Sequence, residues 1–405
     1  MLQLFKMAYR DLGRNRRRSF FSALALAMGL ALLLFLAAMV KGEMLGALEL
    51  NIKLNSGHLQ VRAASYNEDK TSLKWEDLIE NPGALAAKIA ALQPVVAATP
   101  RLFASGIIST GEDTAGVRIF GIDPASEANA PYRDGMVSGE YLTADDRQGI
   151  LVGQYLADKF GLKSGDTVNL LVNTSNGDVD EQPFTIRGTY TTHTPSFDET
   201  TIFMPLLKAQ AITKTENRAS TIFVLLKNKA DAAAVYAAMP TSQYQVQTWE
   251  QMNDLVLQFE QFADAYMSIF YLIVLVITAT VIINTLIMSV YERTREIGIL
   301  SAIGMKSRRI MAMFFAESSL LAVAGIVMGL AIGGILVFYA TRYGFYIGDL
   351  GVSGMTFGDR IYASLTLSDA ISLTIVTFIA TLLAALYPAL LAARMQPVEA
   401  LHSGQ

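Results

Sequence analysis

The sequence predicts a membrane protein in which four transmembrane α-helices carry one large α+β extracytoplasmic domain, inserted between helices 1 and 2. Three observations predict it. Four segments are apolar over the roughly 20 helical residues that ~30 Å of hydrocarbon requires. Of the 405 residues, 52% are hydrophobic and only 17% charged, whereas a soluble domain carries about a quarter. Basic residues also gather beside the apolar segments, while acidic ones gather in the long stretch between the first two.

The N-terminal segment 1–18 brings Lys6, Arg10, Arg14, Arg16, Arg17 and Arg18. The apolar run 19–40 follows. Its core is about twice the ~7–15 residues of a signal-peptide core, and "FLAAMVKGE" offers no small-x-small cleavage site, so it reads as an uncleaved anchor. The remaining spans are 266–291, 310–340 and 370–393. Between the second and third stand Arg293, Arg295, Lys306, Arg308 and Arg309, and Arg394 follows the fourth. Lys and Arg near helix ends mark the cytoplasmic side. Four spans place all of these there, with both termini inside and 42–265 outside. That region holds 17 Lys and Arg against 28 Asp and Glu, a net −11, and the rest of the chain is +7. The two signals agree.

Region 42–265 alternates strand and helix signals. "HLQVRA" (58–63) and "AGVRIFGID" (115–123) read as strands. "PGALAAKIAAL" (82–92) reads as a helix with Asn81 as cap and Pro82 at its first position. The stretch 148–173 reads strand, helix, a turn at Lys163-Ser-Gly-Asp166, then strand. "EQPFTIRGTYTT" is a further strand. "TIFMPLLKAQAIT" (201–213) is a strand that breaks at Pro205 into a helix, and 220–239 repeats that order.

Little chemistry is visible. There is no Cys, which excludes disulfides, thiolate metal sites and a Cys nucleophile. His58, His193 and His402 are isolated, without metal-ligand spacing. Asp145, Asp146, Asp178, Asp180 and Glu181 read as turn charge, and Trp75 and Trp249 as packing. A net charge of −4 does not point to nucleic acid. No catalytic constellation and no metal site emerge.

Inside the spans, Glu317 is the exception to an apolar rule, and an intramembrane acid is a functional candidate by default. Arg308 and Arg309, about two turns before it, are within reach as snorkelling partners. Gly325, Gly329 and Gly333 form a stripe suited to close helix approach, and Asn284, Thr278 and Thr285 can bond across helices. Four spans without a polar lining make a poor pore. A dimer packed through the stripe and the polar groups is the expected remedy. Pro388 should kink or end the fourth span, and 394–400, with Pro397, should turn along the inner surface.

On a helix, 292–304 gathers Thr294, Gly298, Ser301 and Ala302 on one side. Ile297, Ile299, Leu300 and Ile303 fall on the other, among Glu292, Arg293 and Glu296. The pattern fits a segment gripped by a partner, and equally a hairpin whose charges only obey the inside rule.

The run "ERTREIGILSAIGMKSRRIMAMFFAESSLLAVAGIVMGLAIG" closely resembles the signature of the FtsX-like permease family, the membrane subunits of MacB- and LolC/LolE-type ABC transporters. "YPALLAARMQPVEAL" (387–401) matches the family's second signature. "AYRDLGRNRRRSFFSALALAMGLALLL" looks like its amphipathic lead-in and first helix, and "ILVGQYLADKFGLKSGDTVNL" resembles its extracytoplasmic domain. The resemblance implies a subunit of the bacterial cytoplasmic membrane that dimerises with a second permease chain, alike or related. It implies a cytoplasmic ATPase gripping a coupling helix at 292–304, with Glu292, Arg293, Glu296, Ile297, Gly298, Leu300 and Gly304 as contact candidates. The outer region then divides into a porter-like part, 42–123 and 200–265, and an inserted part, 124–199.

Gly304-Met-Lys-Ser and Gly161-Leu-Lys-Ser lack the upstream glycine and Gly-Lys pair of a phosphate-binding loop. No G-x-x-x-x-G-K-[ST] loop is present, so this chain is expected to bind no cofactor itself. ATP and Mg would belong to a separate ATPase, making this a non-catalytic permease subunit. Its outer domain would move to export or release a lipoprotein, peptide or amphiphile, and "NSGHLQVRAA" looks like the lipoprotein-releasing branch. The alternative is a transmembrane regulator that activates an extracytoplasmic partner, such as a cell-wall hydrolase, without moving a substrate. A sensor or adhesin without an ATPase would leave 292–304 unexplained.

Overall fold

The computed structural model describes residues 2–14, 16–67, 73–111, 113–239, 243–347 and 358–395. The tail 396–405, with Pro397 and His402, and part of the loop after the third span lie outside the described residues. The chain divides into two compact units, one formed by 1–43, 260–345 and 361–405, the other by 44–259 and 346–360.

The first unit is helical. Its elements are an N-terminal helix Leu2–Arg14, all but the last turns of span one Arg16–Asn51, all but the first turns of span two Asp254–Glu292, a link helix Thr294–Ala302, span three Ser307–Tyr343 and span four Leu367–Ala393. The four long helices are apolar and long enough to cross a membrane. Intrahelical bonding satisfies every backbone group except those at the ends, which is what hydrocarbon demands. The ends are closed by local chemistry. Thr366 and Asp369 form a reciprocal capping box at the start of span four, and Gly344, at φ +65°, turns the chain out of span three.

Pro388 neither ends span four nor marks its boundary; the helix continues to Ala393. Glycines 325, 329 and 333 are occupied within the chain. A Cβ on Gly325 would stand 2.6 Å from Leu26 Cδ2, on Gly329 2.9 Å from the Ala27 carbonyl oxygen, and on Gly333 3.0 Å from Leu34 Cδ1. The stripe therefore seats span three on span one instead of serving a dimer. Leu26, Leu30 and Leu34 join Ile282, Leu286, Ile326 and Ala384 in the core between the spans.

Among the described residues, the main sheet of the second unit has ten strands: β1 Leu59–Ala63, β2 Val95–Ser109, β3 Thr114–Ile122, β4 Met136–Gly139, β5 Gly149–Gly153, β6 Thr167–Asn173, β7 Val179–Tyr190, β8 Thr201–Pro205, β9 Thr221–Leu226 and β10 Tyr244–Thr248. Strands β10, β1, β9 and the first half of β2 form an antiparallel layer. Helices Pro82–Ala90 and Ala232–Ala237 contribute to its core through Ala86, Ile89, Ala232 and Val235, against Leu59, Val61, Ile222 and Val224.

The second half of β2 pairs with both β3 and β6. Strand β3 pairs with β8, β8 with β5, β5 with β7, and β7 with β6. Six strands thus close into a ring. Alternate residues fill one buried core: Leu102, Ala104 and Ile108 from β2, Val117 and Ile119 from β3, Ile202 and Met204 from β8, with matching sets from β5, β6 and β7. Closure removes the exposed strand edges that invite aggregation.

The core of this barrel draws on Leu73 and Leu78 and on residues from Leu102 to Ile212, wider than the expected 124–199. The reason is pairing: β2, β3 and β8, assigned to the flanks from sequence, are staves of the ring. Two local expectations also change. Asn81 holds the N-cap position before Pro82, but in the left-handed region at φ 48° and without a side-chain bond to the helix; its side chain accepts instead from Asn217 Nδ2 at 2.7 Å. Trp75 is 46% exposed, its ring stacked under the Arg218 guanidinium.

Candidate functional site

The link between spans two and three is built by a break and a return. Span two ends at Glu292. Arg293 leaves the helical region, at φ −111° and ψ 14°, and the link helix starts at Thr294. Gly304 takes φ +92°, a conformation that suits glycine, and the Met305 amide closes the turn on the Leu300 carbonyl at 3.0 Å. Span three begins at Ser307.

Four attachments hold this hairpin. Ile297 is buried with Val290 of span two, Ile310, Met313 and Phe314 of span three, and Ala389 and Ala392 of span four. Arg293 Nη1 donates to Glu317 Oε2 at 3.5 Å, both side chains almost wholly buried. Arg14 Nη1 of the N-terminal helix donates to Glu296 Oε1 at 2.8 Å. Arg18 of span one pairs with Glu292. The first two attachments are buried; the last two are exposed pairs of the kind that fix register more than they stabilise.

The sequence-predicted residues therefore separate into two groups. Arg293, Ile297 and Gly298 are buried within the chain, so as outward contacts they are corrected; they anchor the hairpin from beneath. Glu292, Glu296 and Gly304 are exposed and Leu300 half-buried, with the two acids committed to arginines. The outward surface is completed by Arg295, Ile299 and Ile303, the last 80% exposed. Glu317 finds its partner in Arg293, not in Arg308 or Arg309, which are exposed.

Of the polar groups in span two, Thr285 accepts from Ser22 Oγ of span one at 3.0 Å, and Thr278 bonds its own helix. Asn284 lies exposed on an otherwise apolar face.

In the strand-rich unit, the acidic turn residue Asp146 is structural: it accepts from Arg187 Nε at 2.7 Å and from the Gly149 amide at 2.8 Å. Asp198 is fully buried and accepts from Thr191 Oγ1 at 2.9 Å, Thr192 Oγ1 at 2.6 Å and the Thr192 amide. Burial nonetheless pushes its carboxyl up to about 6. His58 Nδ1 accepts from the Leu226 amide at 2.9 Å. Among the described residues, no group of His, Asp and Glu could hold a metal ion.

Two family models decide the identification. The MacB-like periplasmic core domain matches 19–242 and the FtsX-like permease C-terminal domain matches 268–397. The chain belongs to the FtsX-like, MacB-type permease family. It is 22% identical over 355 residues to the lipoprotein-releasing system transmembrane protein LolC of Neisseria meningitidis, covering 82% of each chain. It is 24% identical over 404 residues to LolE of Haemophilus influenzae, covering 95% of this chain and 94% of that one. To the macrolide export ATP-binding/permease protein MacB of Campylobacter fetus it is 25% identical over 85% of this chain, spanning 53% of the relative.

In this permease, reasoning from sequence missed the ties from Arg14 and Arg18 to the link. The available signal was charge reciprocity: Glu292 and Glu296 are four residues apart, as are Arg14 and Arg18.

Proposed function

We propose that this permease couples ATP hydrolysis by a separate cytoplasmic ATPase to movement of its inserted domain, and that the movement releases or exports a lipoprotein or similar amphiphile. ATP and Mg belong to the partner; this chain supplies no catalytic group. The link helix is the gripped element and faces the cytoplasm, as the clustered basic residues require.

One observation carries the reading. The link presents Arg295, Ile299 and Ile303 outward while being fixed to span one, span two, span three and span four at once. A hairpin that only obeyed the charge rule would need no such attachments. A partner pushing on Ile299 and Ile303 moves all four helices together, and the chain enters and leaves the inserted domain through two of them. The lipoprotein class rests on the names of the relatives LolC and LolE. A second permease subunit would meet this one on the exposed face of span two, where Asn284 offers an amide that hydrocarbon cannot satisfy.

The test is co-purification with the ATPase encoded beside this gene, followed by reconstitution of both with a labelled lipoprotein in vesicles. The reading expects a stable complex and ATP-dependent release. ATP hydrolysis without release would favour the regulatory alternative, in which the domain activates an extracytoplasmic enzyme. Absence of any complex would overturn both.

A further inference from the structure

The N-terminal helix does more than tie Arg14 to the link. Between it and span three lies a groove of about 990 Å³, walled by Lys6, Tyr9, Arg10, Arg14 and Arg16 on one side and floored by Leu320, Val323 and Ala324. The helix is anchored rather than loosely attached: Ala8 is fully buried and Arg14 is held by Glu296. The floor is open, with Val323 52% exposed.

We propose that this groove holds one anionic phospholipid, its headgroup against Lys6, Arg10 and Arg16 and an acyl chain along Leu320, Val323 and Ala324. The proposal rests on the four long helices being membrane spans, and is independent of the ATPase reading. Charge complementarity selects the occupant. The described lining residues bring four cations and no anion; Arg14 shares Glu296, which leaves three. A zwitterionic headgroup brings its own cation and gains little there, whereas a net anionic one neutralises the rim. A soluble anion would leave the apolar floor in contact with water, and an acyl chain removes that contact. Tyr9, 74% exposed, is of the amphipathic type that sits at headgroup level. The site adjoins the Arg14–Glu296 pair, so its occupant braces the helix that pins the link.

The test uses the full chain in a neutral maltoside detergent, with native mass spectrometry after titration with palmitoyl-oleoyl phosphatidylglycerol or the phosphatidylcholine of identical tails. We expect at least a tenfold preference for phosphatidylglycerol. It should disappear in a Lys6→Gln, Arg10→Gln, Arg16→Gln triple variant. It should also disappear in Val323→Trp, which fills the floor without touching charge. A control that removes three cations of the inserted domain, Lys159→Gln, Lys163→Gln and Lys214→Gln, should keep it. Equal binding of the two lipids, or a preference that survives the triple variant or Val323→Trp, overturns the site. Should the triple variant fail to fold, Val323→Trp decides alone. A chain that stays soluble without detergent overturns the membrane reading itself, a different failure from loss of lipid preference.

Discussion

Arg293 and Glu317 meet where neither can reach water, and such a pair is worth most when one partner is taken away. Glu317→Gln or Arg293→Gln leaves an uncompensated buried charge or a broken network. Each should cost about 3–5 kcal/mol of stability, read as a lowered melting temperature in detergent, while Arg293→Met with Glu317→Leu should recover most of it. If the single and double variants melt alike, the pair is not the anchor described. Asp198 gives the second residue-scale prediction. Its folded pKa, about 6, lies above the ordinary 3.8. Its contribution is therefore fully present below about pH 4 and lost as pH rises through 6. Amide exchange around 190–205 should show wild type losing up to about 3 kcal/mol relative to Asp198→Asn between pH 4 and pH 7. An identical pH dependence in the two proteins would refute it. Residues such as these were only partly legible. Glu317 stood out because hydrocarbon makes any acid conspicuous, yet its partner lay across a helix break that spacing arguments do not bridge. Arg101 gave no signal at all: it is fully buried, donating to the Leu54 carbonyl and Asn129 Oδ1 at 2.8 Å, and the stretch around it was not read as an element.

Helices were the most legible elements, because the thickness of hydrocarbon imposes a length and an apolar run that survive any tertiary context. What a helix packs against was less legible. A glycine at every fourth position says that something approaches closely, not whether it belongs to the same chain, and here it is span one. Gly329→Leu should therefore destabilise the helical unit by about 1–3 kcal/mol and leave self-association unchanged; a stable monomer in place of a dimer would return the stripe to the interface. The link helix divides in the same way. Its outward residues Ile299 and Ile303 are exposed, so Ile299→Glu with Ile303→Glu should abolish recovery of the ATPase while shifting the melting temperature little. Recovery at the wild-type level would mean that the partner grips elsewhere. The strands β1, β3 and β5 to β9 were read from sequence, whereas β2, β4 and β10 were not. The closure of six of them into a ring was not legible, since it depends on β2 being long enough to serve the layer with one half and the barrel with the other.

At the scale of the whole molecule, an anchored link, four apolar helices and a domain reached through two of them form one chain. Matches to the family over 19–242 and 268–397 make the architecture secure, and the proposal adds that motion passes from the link to the domain. The absence of cysteine makes this directly measurable, because a single Asn176→Cys in the exposed β6–β7 turn is a unique labelling site. With two labelled copies assembled on the ATPase in lipid nanodiscs, the distance between spin labels is read before and after trapping with ATP and vanadate. A distance that shifts on trapping, and no longer shifts when Glu292→Lys and Glu296→Lys release the link from Arg18 and Arg14, is the predicted result. An unchanged distance while the bound ATPase hydrolyses ATP would contradict it.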